Sequence, residues 1–205
     1  MDTSANKPRL RRSRREKHLT NDEALGLLRA AVAHSERDYT MLAVALNTGL
    51  RVTELVKLRF EDFNALARTM LVKTAKQKME ITDEQHVADG VLRTVDEWSK
   101  HTGRSTGYLF DGGKPDTHLT TRAASMVYYK HAETAGLDIA SRRADQKGRG
   151  IHSTRHHYTT RLLVKGKPIQ ASIVLRHRNS ESLSQYCASQ DERRFVELAG
   201  VIHGH

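Results

Sequence analysis

A helical period of apolar positions begins at Leu19 of this 205-residue chain. Ala24, Leu27, Leu28, Ala31 and Val32 recur on one face, and Thr20 with Glu23 has the reciprocal spacing of a capping box, so a half-buried helix is predicted here. A second stretch, from about 38 to 47, is apolar almost all round (Met41, Leu42, Val44, Ala45, Leu46), which predicts a helix central in the core. Gly49 suits the left-handed residue that closes such a helix. A third helix is expected near Arg51, with Leu55, Val56 and Leu58 as its apolar face.

Between Thr69 and Thr82 the texture changes. TMLVK and KMEIT flank the polar TAKQ, a pattern that predicts a β-hairpin. Helices are expected at about 83–99 and 118–135, the latter with Tyr128 and Tyr129 at core spacing. The basic SRRADQKGRG at 141–150 reads as a flexible loop, either functional or a linker. HSTRHHYTTRLLVK resumes a helix that Gly166 ends, and further helices are expected around 169–176, 180–187 and 190–199. The fold class is α+β, mostly helical with a small antiparallel sheet.

Charge adds a partner to this picture. Lys and Arg number 34 against 24 Asp and Glu, a formal +10, which favours a polyanion such as nucleic acid. Residues 1–17 are nearly free of large apolar side chains and carry Lys7, Arg9, Arg11, Arg12, Arg14 and Arg15. They predict a disordered basic arm, a phosphate-contacting segment or a solvated tail, ahead of one domain at 18–205. The single cysteine, Cys187, excludes a disulfide framework and a four-cysteine zinc module. No apolar run reaches membrane-spanning length and no secretory apolar segment follows the basic start, so a cytoplasmic protein is expected.

Three segments carry candidate chemistry. In NTGLRVTEL, Arg51 follows the glycine and Glu54 stands one turn on; in HSTRHH, His152 and Arg155 share a helical face; in LRHRNSESLSQYC, His177 precedes Tyr186. Arginine forks grip phosphate oxygens and oppose charge that develops in a transition state. A tyrosine hydroxyl becomes nucleophilic where positive surroundings favour its phenolate, and histidine suits proton transfer near neutral pH. His152 and His156 also have the spacing of a zinc pair, but Ser153 stands where the glutamate base of a metalloprotease would be, and no third ligand is evident. No metal site is expected.

This order of residues resembles the tyrosine recombinases, or phage integrases. Their pattern of Arg, Lys, His-x-x-Arg, His or Trp, and Tyr is matched by Arg51 in TGLRVTEL, Lys73 in the hairpin, His152 and Arg155 in HSTR, His177 in LRH, and Tyr186. Lys73 fits best because Lys78 then precedes the returning strand; a slip in register favours Lys76. Arg176 stands where the family usually has glycine before the fifth position, and the stretch from Gly166 to His177 is about one residue short.

The resemblance implies an integrase-type catalytic domain without a separate core-binding domain, a layout like that of the short recombinases that invert fimbrial promoters. It implies that Tyr186 attacks a DNA phosphate to form a 3′-phosphotyrosyl link, with Arg51 and Arg155 clamping the phosphate. Lys73 would protonate the leaving oxygen, His152 would assist at the tyrosine, His177 would hydrogen-bond the phosphate, and Glu54 would buttress the site. Neither metal nor nucleotide cofactor is needed. The implied function is site-specific DNA recombination (integration, excision or inversion) by protomers that assemble as a tetramer on double-stranded DNA at the nucleoid, with accessory DNA-bending proteins as further partners. The alternatives are a non-catalytic DNA-binding regulator on the same fold and a type IB topoisomerase-like relaxing enzyme, which would act without sequence preference.

Overall fold

Thr20 caps the first helix as its sequence predicts. Its hydroxyl accepts the Glu23 backbone N–H at 3.1 Å, and its own N–H donates to Glu23 Oε2 at 2.8 Å. In the computed structural model, which describes residues 18–76, 79–137, 150–167 and 170–171, α1 spans Asn21–Val32 and α2 spans Glu36–Thr48. Ala24, Leu27 and Ala31 of α1 are buried as expected, but Val32 is 49% exposed. At the end of α1 the face that meets the core has rotated past it.

α2 is the central element. Met41 to Leu46 are buried on every side, and the helix packs against α1 and two later helices, α4 and α6, whose ranges follow. Gly49 closes α2 in the left-handed conformation at φ 66°, where a side chain would be strained. The next helix, α3, is one turn long, Val52–Leu55. It is shorter than its apolar pattern predicts, although Val56 and Leu58 beyond it are buried as that pattern requires.

A 3-10 turn at Phe60–Asp62 leads into a sheet of three antiparallel strands, β1 (Phe63–Asn64), β2 (Thr69–Lys76) and β3 (Met79–His86), in that spatial order. The expected hairpin is present, with Lys73 opposite Thr82. β1 was not expected from the pattern, since two residues carry no readable period. β3 corrects the helix start expected near residue 83. The strand runs on to His86 because Gln85 pairs with Met70 and donates its side-chain amide to the Thr48 carbonyl at 2.8 Å, docking the sheet on the end of α2.

The chain continues as α4 (Asp89–Thr102), α5 (Thr121–Thr134) and α6 (His152–Val164). Trp98 of α4 donates its indole N–H to the Leu109 carbonyl at 2.9 Å, and Tyr128 of α5 is fully buried in the core. Gly166 ends the α6 segment at φ 67°. The helices expected at 180–187 and 190–199, and all of 169–176 except residues 170–171, lie outside the described residues, as does the 141–149 part of the basic loop. The fold is α+β and mostly helical, and no helix among the described residues is long and apolar enough to cross a membrane.

Candidate active site

The C-terminal end of α2 gathers the charged residues singled out in the sequence. Arg51 lies two residues beyond Gly49 and caps α3. Its backbone N–H donates to Glu54 Oε2 at 2.8 Å and its NH1 to Glu54 Oε1 at 2.9 Å. The i,i+3 spacing permits this closed loop, because the first turn of a helix leaves such backbone donors free. Glu54 is only 3% exposed, while the Arg51 side chain keeps 27% of its surface open. The carboxylate is therefore buried beneath a guanidinium that still faces solvent.

Glu54 has a further partner that sequence reasoning missed. Thr74 of β2 donates its hydroxyl to Glu54 Oε1 at 3.1 Å. A threonine beside a hairpin lysine gives no sign of a contact twenty residues back in the chain.

Arg155 enters from α6. It is 1% exposed, and its NH1 donates to the Gly49 carbonyl at 2.6 Å. Thr159, one turn on, donates its hydroxyl to the Arg155 carbonyl at 2.9 Å. A buried guanidinium needs such acceptors to offset its lost hydration. The carbonyl used here belongs to the residue that also turns the chain from α2 towards Arg51.

His152 opens α6, one helical turn before Arg155. The residue as a whole is exposed, but partial loss of hydration is the largest cause that lowers its pKa from the ordinary 6.5. The positive charges of Arg155 and Arg51 lower it further, and Glu54 opposes them. His152, Arg155, Arg51 and Glu54 are thus within electrostatic reach of one another. Such a group favours neutral imidazole, a proton acceptor, next to two fixed cations. His156 faces His152 edge-on, with ring centroids 6.3 Å apart. Among the described residues, no group of three or more His, Cys, Asp or Glu side chains lies close enough to hold a metal.

The structure does not bring every candidate to this point. Lys73 is half-buried on β2, and the carboxylates that feel its charge are Glu61 and Asp62 of the 3-10 turn. His177, Tyr186 and the arm residues Lys7, Arg9, Arg11, Arg12, Arg14 and Arg15 lie outside the described residues, and so does the side chain of Lys76. Another contact that the sequence did not signal ties α6 to the start of the domain: His157, 4% exposed, pairs through Nδ1 with the Leu19 carbonyl at 2.7 Å.

Two arginines and a histidine thus lie around one helix end, beside a three-stranded sheet. The chain belongs to the phage integrase family, whose model matches residues 17–193. It is 25% identical over 191 residues to tyrosine recombinase XerA of Pyrococcus horikoshii, covering 91% of this chain and 62% of that protein. Among solved structures it is similar to a crystal structure of XerA recombinase, with a TM-score of 0.71 and 22% identity over 97% of this chain and 68% of the other. It is also similar to a lambda integrase tetramer bound to a Holliday junction, with a TM-score of 0.63 and 18% identity over 86% and 48% of the two chains.

Proposed function

We propose that this protein cuts and rejoins duplex DNA at specific sites through a 3′-phosphotyrosyl intermediate. The observation that carries this reading is the convergence of Arg51, Arg155 and His152 at the end of α2, with Glu54 buried beneath Arg51. That arrangement fits one phosphodiester. Two guanidiniums take the non-bridging oxygens and oppose the extra negative charge of the five-coordinate transition state.

In the proposed step the Tyr186 oxygen forms a bond to phosphorus as the bond to the 5′ oxygen breaks. The tyrosine proton passes to His152, and the departing oxygen takes a proton from Lys73, with Lys76 as its alternative. His177 hydrogen-bonds the phosphate. The reverse reaction with a 5′-hydroxyl from another strand rejoins the DNA, so the bond energy is kept in the protein–DNA link. Charges of +10 overall and the arm from Lys7 to Arg15 support double-stranded DNA as the partner. A tetramer on the paired sites, accessory DNA-bending proteins and action at the nucleoid in the cytoplasm complete the reading. The tetramer draws on the lambda integrase assembly at a junction.

The test is a covalent trap. Wild-type and Tyr186→Phe proteins are incubated with duplex DNA from beside the gene, nicked so that the released strand diffuses away, and then denatured in detergent. A protein–DNA adduct in the wild type that disappears in the variant is the expected result. Tight binding to the same DNA with no adduct would reject strand transfer in favour of a DNA-binding regulator. Relaxation of any plasmid, regardless of sequence, would reject site specificity in favour of a topoisomerase.

A further inference from the structure

Tyr129 and Gly150 meet at the point where the chain enters α6. A Cβ at position 150 would lie 2.9 Å from Tyr129 Oη and 3.7 Å from its Cζ. The first distance is well inside the 3.4–4 Å of ordinary van der Waals contact, so it takes a glycine to let the backbone approach this hydroxyl so closely. The hydroxyl has little room to give way. It stands at the end of a flat ring, and that ring lies edge-on to Tyr128 with centroids 5.8 Å apart. Tyr128 is itself fully buried, and α5, which carries both tyrosines, packs against α1 and α3.

Gly150 passes this contact on to the site. Its carbonyl accepts the Ser153 N–H at 2.8 Å, spanning His152. Ile151 is 8% exposed, and its carbonyl accepts the Thr154 N–H at 3.1 Å and the Thr154 hydroxyl at 2.8 Å. A shift of Gly150 is therefore carried into the turn that His152 opens. α5 serves both halves of the site. Through α3 it backs Arg51 and Glu54, and through Tyr129 it meets the backbone two residues before His152.

We propose that Tyr129 is a positioning residue whose hydroxyl is the stop against which Gly150 seats, setting where His152 stands beside Arg155 and Arg51. The inference rests on the strand-transfer reading, in which His152 accepts the tyrosine proton. A proton acceptor works only within hydrogen-bond reach of the proton it takes, and a misplacement of about 1 Å costs up to about 10²-fold in rate. The side chain that limits how deep the first turn of α6 settles then governs the chemistry without touching DNA.

The test compares wild type, Gly150→Ala, Tyr129→Phe and the double variant in the full chain, with thermal melting to check the fold. The first readout is NMR titration of the His152 ring without DNA, its signal assigned by its loss in His152→Gln. Arg155, Arg51, Glu54 and His156 are the charged or titratable groups that face this ring. Gly150→Ala drives the turn off α5, the helix that also backs α3 and Arg51. His152 then gains water and loses cationic neighbours, so its midpoint should rise towards 6.5. Tyr129→Phe removes only the obstructing oxygen, and in that background the same alanine should leave the midpoint in place. A lower melting temperature with an unmoved midpoint, or an equal alanine effect in both backgrounds, would overturn the proposal. If Gly150→Ala does not fold, Tyr129→Ala takes the stop away instead and is expected to move the midpoint; an unmoved one again overturns it.

The second readout is single-turnover cleavage of the nicked duplex against pH. Gly150→Ala is expected to cleave about tenfold more slowly than wild type at equal duplex affinity. The acidic limb of its profile should move to higher pH, because a histidine that keeps its own proton accepts no other. In the Tyr129→Phe background the same alanine should cost less than about twofold. A tenfold loss that Tyr129→Phe does not relieve would sink the idea. Wild type that cleaves nothing rejects the strand-transfer reading, and the NMR titration then decides the Tyr129–Gly150 seat by itself.

Discussion

The Thr74 hydroxyl and the Arg51 guanidinium donate to the same oxygen of Glu54, at 3.1 and 2.9 Å. A strand and a helix start are thereby fixed to one buried carboxylate. The position of the hairpin and the direction of the arginine are not independent. An inward displacement of β2 carries Glu54 with it, and Arg51 must follow.

Thr74→Val removes the strand's share of that oxygen and leaves Arg51 in place. We expect a loss of about 1 kcal/mol in urea unfolding, the ordinary worth of one buried hydrogen bond. Single-turnover cleavage should fall while duplex affinity is unchanged. Unaltered cleavage in a correctly folded variant would show that the hairpin does not set Arg51.

Arg155→Lys keeps the charge on α6 but gives up the planar fork that reaches the Gly49 carbonyl and, in the proposed reaction, a phosphate. Cleavage should drop by about 10²- to 10³-fold, the scale for losing a fixed donor to developing charge. Duplex binding, spread over many phosphates, should change little. Parallel loss of both would instead assign Arg155 to binding or folding.

Gly49→Ala places a Cβ at φ 66° and should cost about 1–2 kcal/mol of stability. The same change shifts the carbonyl that Arg155 grips. Cleavage is therefore expected to fall further than the melting temperature alone explains, which a temperature series of cleavage rates will show.

His152 and His157 both have pKa values lowered from 6.5, with lost hydration as the largest cause in each. The folded state then binds fewer protons than the unfolded state between each lowered value and 6.5. Their contribution to stability is present above pH 6.5 and is lost as pH falls through that window. Urea midpoints should decrease from pH 7.5 to 5.0. His157→Gln, which still offers a donor to the Leu19 carbonyl, should flatten the decrease; a decrease of unchanged steepness would exclude His157 as a source.

Removal of residues 1–17 should weaken duplex binding and make the slope of log affinity against log salt shallower by about 0.9 for each phosphate that the arm neutralises. With Lys7, Arg9, Arg11, Arg12, Arg14 and Arg15 all in that segment, a change of several units is available. An identical slope would reduce the arm to a passive tail.

Local chemistry was the part most legible in the sequence. Thr20 and Glu23 cap α1 because both partners lie within one turn, and Arg51 and Glu54 meet for the same reason. The all-round burial of Met41 to Leu46 in α2 follows from an apolar run with no polar face. Pairings between distant segments were not legible. The Thr74 hydroxyl on Glu54, the Gly49 carbonyl under Arg155 and the Leu19 carbonyl on His157 all join residues with no shared period or spacing. The extension of β3 to His86 was hidden likewise, since Gln85 is polar and turns inward only because the Thr48 carbonyl is there to receive it. The face of β2 that Lys73 takes was not legible either, since it follows from Thr74 beside it turning towards Glu54.

The last carbonyls of α2 are occupied from two sides, Thr48 by a strand amide and Gly49 by an arginine. Helix ends of this polarity carry a partial negative charge. The Arg155 guanidinium therefore rests against a fixed dipole that offsets part of the cost of its burial. The dipole is anchored in the packing of Met41 to Leu46, so the hinge-pin of the site lies inside the protein. A repacking of Leu42 or Val44 that tilts α2 moves both arginines and the docked sheet together, so under the proposed reaction cleavage is open to damage from residues that no nucleotide approaches.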